Sequence, residues 1–142
     1  MPPQLQSMEI QAFAEGFPVT LFHAGVTLIV LALGATLYAF LTPHREIALI
    51  RDGNTAAAIS FGSVLVGLAL PLADSLRASG SPLEIALWGM ATIAVQLLVF
   101  KFIDWILHGL PQRIQEGEIS AAVLLAGAKL ASALIFAAAL SG

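Results

Sequence analysis

The sequence predicts an all-α membrane protein whose four transmembrane helices form two tandem parallel helical-hairpin repeats. Three observations carry that expectation. Of 142 residues, 58% are hydrophobic and only 11% charged, and the mean hydropathy of +0.92 lies far outside soluble usage. Four apolar stretches each reach the roughly 20 residues that a helix needs to cross a hydrocarbon core. The chain also matches itself at an offset of 64 residues, counted from Ile50 to Ile114.

The first predicted span runs from Val19 to Leu41, preceded by a short N-terminal segment, residues 1–18. That segment carries no Lys or Arg, which a secretory leader would have, so the first span is expected to act as its own insertion signal. The second span runs from Thr55 to Leu76, the third from Leu83 to Leu107 and the fourth from Ile119 to Leu140. Between them lie "TPHREIALIRDGN", "ADSLRASGSP" and "HGLPQRIQEGE", each with Pro or Gly to stop a helix. Such short connections leave no room for a folded extramembrane domain.

Laying "IRDGNTAAAIS" over "IQEGEISAAVL" pairs Ile50, Gly53, Ala57 and Ala58 with Ile114, Gly117, Ala121 and Ala122. The same offset pairs Gly25 with Gly89, His44 with His108, Ala69 with Ala133 and Leu70 with Leu134. Residues 19–78 and 83–142 therefore read as two membrane repeats. Because each holds two spans, both hairpins enter from one side, giving parallel repeats about an axis along the membrane normal. Arg45, Arg51 and Arg113 fall in the first and third loops and only Arg77 in the second. The excess of cations in short cytoplasmic loops then puts the matching loops in the cytoplasm and both termini in the periplasm.

In lipid, helices associate by close packing, so stripes of small residues mark contact seams. Gly25, Ala32 and Ala39 form one on the first span. Ser60, Gly67 and Asp74 form another on the second, and the two are expected to meet each other or a neighbouring subunit. In the second span Gly62, Gly67 and Pro71 favour close packing and permit a kink. Asp52, Gly53, Asn54 and Thr55 read as a turn followed by a helix start, with an Asn or Thr oxygen accepting free backbone donors; Glu116, Gly117 and Glu118 repeat that logic.

Composition excludes several classes. A formal net charge of −3 from few groups leaves no basic face for nucleic acid. With no cysteine there is no disulfide, thiolate metal site or Cys nucleophile. His44 and His108 coincide in the repeat but lack nearby carboxylate or thiolate spacing, and no catalytic motif is present, so neither a metal, a cofactor nor an enzyme is expected.

Four polar side chains remain as intramembrane candidates: Gln96, Lys101, Asp104 and Lys129. Lys101 and Asp104 are within ion-pairing reach on one helix, near enough to its end for the lysine to snorkel. Lys129 lies ten residues beyond Ile119, about 15 Å along a helix and close to the midplane, where snorkelling explains little. Its offset counterpart is Leu65, so the repeated hairpin does not demand a charge there. The leading reading is an internal contact with Gln96 or Asp104 that helps specify assembly; an ion path and a hydrated, lipid-facing lysine are the others.

Thr42 with Pro43, "ALIRDGN" from Ala48 to Asn54, "ALPLA" from Ala69 to Ala73, Trp88 with Gly89, and Gln96 with Leu97 occur in an order that resembles the YjfL-like bacterial inner-membrane proteins, the family of domain of unknown function 350. The resemblance covers nearly the whole chain. It implies a small bacterial inner-membrane protein of tandem two-helix units, brings no established activity, and by association suggests envelope maintenance alongside stress-response genes. Lys129 is not part of that pattern.

The expected function is thus a non-enzymatic, homo-oligomeric component of the bacterial inner membrane, concerned with envelope organisation or stress response. Its expected partners are membrane lipid, further copies of itself and an unidentified membrane or cytoplasmic protein. The alternative is an oligomeric ion or small-solute channel, lined by the four intramembrane candidates and formed between subunits because four helices enclose too little space.

Overall fold

A computed structural model describes residues 2–43, 45–78 and 81–141. Its elements are α1 (Pro3–Leu41), α2 (Glu46–Arg51), α3 (Thr55–Ala78), α4 (Pro82–Leu107), α5 (Leu110–Gln115) and α6 (Ile119–Ser141). The described residues contain helices and no strands. Four of the helices, α1, α3, α4 and α6, are long and apolar enough to cross a membrane.

The starts of α3 and α6 fall where the sequence places them, at Thr55 and Ile119, and α4 begins one residue early because Pro82 suits a first helical turn. The first helix differs more. It starts at Pro3 rather than near Val19 and runs 39 residues, about 58 Å. Pro2 and Pro3 supply its start signal, and Pro18 is carried inside the helix at the loss of one backbone donor. The N-terminal part of α1, residues 3–22, is exposed along its length, whereas the buried residues of α1 are Gly34, Ala35 and Tyr38.

α3 and α6 share the most extensive packing; α3 also packs on α4, α4 on α6, and α1 on both α3 and α4. Small residues allow the closest approach: Ala56 and Ala57 of α3 and Ala121 and Ala122 of α6 are buried in one cluster with Phe100, Ile103, Leu110, Ile114 and Leu125. A second cluster gathers Ala35 and Tyr38 of α1 with Val64, Leu68 and Ile93. Outside these, large apolar side chains such as Leu33, Phe40, Leu98, Trp105 and Ile135 are exposed, as a lipid-facing surface requires.

The six-residue helices α2 and α5 are offset by 64 residues at both ends, as are the starts of α3 and α6. Gly53 and Gly117 occupy equivalent turn positions with φ of 85° and 80°, a left-handed conformation that favours glycine. The two loops lie side by side, stitched by Asn54. Its side-chain oxygen accepts the Ala57 N–H at 2.9 Å, capping α3, and its amide donates to the carbonyls of Ile114 (2.9 Å) and Gln115 (3.1 Å) at the end of α5. The predicted capping role of Asn54 is therefore present, with a cross-loop role added.

Candidate functional site: a lysine sealed between helices

Lys129 is fully buried. Its position on α6 is set by the face that α6 turns inward, Ala121, Ala122, Leu125, Lys129, Ala133 and Ala137, a repeat of three and four residues. The ammonium donates a hydrogen bond to the hydroxyl of Tyr38 on α1. Nζ also stands 4.4 Å from the centroid of the Tyr38 ring and 5.7 Å from that of Phe100, within cation–π range. α1 and α6 are not among the closely packed helix pairs, and this long side chain reaches from one to the other.

The backbone around the lysine is held too. Gln96 of α4, also fully buried, donates its amide to the Lys129 carbonyl at 3.3 Å, and Ser132 Oγ donates to the same oxygen at 2.9 Å. Gln96 Oε1 has no hydrogen-bond partner among the described residues. Gly67 of α3 makes room for the amide: a Cβ there would stand 2.8 Å from Gln96 Nε2. On the loop side, Glu46 of α2 is buried, accepts a hydrogen bond from Ser60 Oγ at 3.3 Å and acts electrostatically on both Tyr38 and Lys129. A carboxylate, a phenol, an ammonium and a carboxamide from four helices thus share one water-poor interior, where unpaired polar groups are costly and paired ones fix geometry.

This arrangement corrects several sequence expectations. The Lys129 ammonium meets Tyr38 rather than Gln96 or Asp104. The expected contact between Lys129 and Gln96 is present, but at the lysine's backbone, where the Gln96 amide donates to its carbonyl. Asp104 is engaged elsewhere: its Oδ1 accepts the Leu110 N–H at 2.8 Å, bracing the turn in which His108 adopts φ of 58°. Lys101 is exposed and makes no ion pair with Asp104. The four candidates therefore do not share a lumen within this chain.

Of the two seams, the α3 residues Ser60 and Gly67 are buried inside the chain, while Asp74 is half-buried and paired with Arg77 at 2.8 Å. The face of α1 that meets α3 and α4 carries Gly34, Ala35 and Tyr38 instead of Gly25, Ala32 and Ala39. Ala32 is exposed, Gly25 and Ala39 are half-buried, and a Cβ at Gly25 would meet nothing. Among the loop cations, Arg113 pairs with Glu118 at 3.4 Å, whereas Arg45 and Arg51 are exposed. His44 lies outside the described residues.

Tyr38 and Glu46 are the site residues that sequence reasoning missed. Tyr38 is the single tyrosine of the chain, and a tyrosine inside an apolar span needs a partner for its hydroxyl; that signal was available. Glu46, flanked by arginines in a polar loop, reads as solvated, and only the fold of α2 against α3 reveals its burial.

A family profile described as Domain of Unknown Function (DUF350) matches residues 12–140. Two relatives are similar: the UPF0719 inner membrane protein YjfL of Escherichia coli strain K12 and that of Escherichia coli O157:H7. Each is 31% identical over 117 residues, 82% of this chain and 87% of the relative. No solved structure matches the chain at a significant level.

Proposed function

The chain belongs to the DUF350 family, and from that premise we propose that it is a non-enzymatic, multi-pass component of the bacterial inner membrane that works as an assembly of copies of itself, in envelope organisation or the response to envelope stress. The inner-membrane assignment follows the name of the E. coli relatives, an inner membrane protein, and the four apolar helices. Tandem hairpins form part of the reading, supported by the equal offsets of α2 with α5 and of α3 with α6. The matching loops face the cytoplasm and the termini the periplasm, as the arginine distribution favours.

The observation that carries self-association is the contrast between the two small-residue seams. The α3 seam is largely used up inside the chain, while Gly25 and Ala32 of α1 lie open to whatever borders them. Small residues left open on a membrane helix suit close approach by another helix. A conduit finds less support, because Lys129 and Gln96 are sealed and Lys101 and Asp104 lie apart from them.

The test is the mass of the full chain in lipid nanodiscs by native mass spectrometry. The expected result is a defined oligomer that Gly25→Leu with Ala32→Leu converts to monomer, with helical content and thermal stability of the monomer retained. A strictly monomeric wild type, or an oligomer indifferent to both substitutions, overturns the reading.

A further inference from the structure

Between the C-terminal end of α1, the loop helix α2 and the first turns of α3 lies a groove of about 560 Å³, with Ala39, Phe40, Ile47 and Phe61 in its walls and Arg45 and Arg51 lining it. We infer that this groove is a binding site for one anionic phospholipid of the adjoining leaflet, with the phosphate at Arg45 and Arg51 and an acyl chain against Phe40 and Phe61. The inference rests on the chain spanning a membrane and is independent of self-association.

Charge complementarity selects the occupant. Of the four arginines, Arg77 and Arg113 are satisfied by Asp74 and Glu118. Arg45 and Arg51 make no ion pair and no side-chain hydrogen bond to any described residue, and both line this groove. Two free guanidiniums in one place suit a phosphate, whose oxygens accept paired N–H donors. The third charged wall residue, Glu46, would repel an anion, but its carboxylate is buried on Ser60, so the anion is held at the mouth. Asp52, on the far side of Arg45, forms no ion pair with it.

Position and wall chemistry select a lipid over a free anion. The groove opens where α1 ends and α3 begins, the level at which headgroups meet acyl chains. Phe40 is 82% exposed, an apolar surface that water does not suit and an acyl chain does. The volume fits the ordinary range for a small-molecule site. The second repeat lacks this site: the offset counterparts of Arg45 and Arg51 are Gly109 and Gln115. One lipid per chain follows.

The experiment releases the full chain from nanodiscs of phosphatidylcholine with phosphatidylglycerol and reads retained lipid by native mass spectrometry. The expected result is one phosphatidylglycerol per chain, about 30-fold weaker for Arg45→Gln with Arg51→Gln on the scale of two interfacial arginines, and unchanged for Arg113→Gln. Phe61→Ala reduces retention with both arginines in place. Both arginines are exposed, so the double variant keeps its fold, which its circular dichroism verifies. Inorganic phosphate in excess leaves the lipid bound. Equal retention of phosphatidylcholine, retention untouched by the double variant, or displacement by inorganic phosphate overturns the inference.

Discussion

Lys129 of α6 and Tyr38 of α1, ninety-one residues apart in sequence, share a hydrogen bond in the interior of the helix bundle. Burying an ammonium in a membrane span costs about 2.5 to 3.5 kcal/mol on insertion scales, so the residues around it have to return that energy. Tyr38 supplies an acceptor and a ring face, Phe100 a second ring, and Glu46 an opposing charge.

Removing either member of the contact has unequal consequences. Tyr38→Phe deletes one hydrogen bond and is expected to cost about 1 kcal/mol. Lys129→Met removes that hydrogen bond together with both ring contacts and the electrostatic attraction of Glu46, and should cost more, about 3 kcal/mol, with part recovered by adding Glu46→Gln. Thermal unfolding in a fixed detergent measures all four proteins. A Lys129→Met chain more stable than wild type would mean that the charge is not compensated as described.

Gly67→Ala places a methyl group against the Gln96 amide and should destabilise by about 1 to 3 kcal/mol through overpacking. Gly127→Ala is the contrast, since a Cβ there meets nothing; it should be neutral or stabilising by up to about 1 kcal/mol. Equal effects at the two positions would remove the argument that Gly67 exists to admit Gln96.

Asn54→Ala should cost about 1 to 2 kcal/mol, the usual worth of a helix N-cap. Asn54→Asp keeps the cap to Ala57 but brings a carboxylate to the carbonyls of Ile114 and Gln115, so it should loosen the loop pair while leaving α3 intact. Amide exchange separates the two outcomes: faster exchange around Gly117 with unchanged exchange at Ala57 is the expected pattern for Asn54→Asp. Uniform acceleration would show that the two loops are held by something else.

Asp104→Ala frees the buried end of the α5 connection by orphaning the Leu110 N–H and is expected to cost about 1 to 2 kcal/mol. Asp104→Asn retains an oxygen acceptor and should recover most of it. Lys101→Gln, at an exposed position, should fall within about 0.5 kcal/mol of wild type. A large loss at Lys101 would restore the ion pair that the sequence suggested.

The spans were legible because length and apolar composition alone define them, and the loop turns because glycine and asparagine carry their own backbone signals. α1 escaped at its start: residues 3–18 mix polar and apolar side chains, so hydropathy marks no span, although Pro2 and Pro3 signal a helix beginning. The site was half legible. Depth along α4 and α6 put Gln96 beside Lys129, since rise per residue fixes it. Which face of α1 turns inward depends on how Gly34 and Ala35 fit Leu68 and Ile93, a packing choice that spacing does not reveal. Tyr38 was marked only by being a tyrosine inside an apolar span, and Glu46 depended on how α2 folds against α3.

The most direct test uses the two lysines of the unaltered chain. In lipid nanodiscs of the full protein, open to solvent on both faces, a small water-soluble amine-acetylating reagent is added and the extent of modification at each lysine is followed by peptide mass spectrometry. The structure predicts that Lys101 is acetylated while Lys129, sealed by Tyr38, Phe100 and Gln96, stays unmodified until the protein is unfolded. Acetylation of Lys129 in the folded protein at a rate comparable to Lys101 would contradict an internal, structural role and point to a water-filled path.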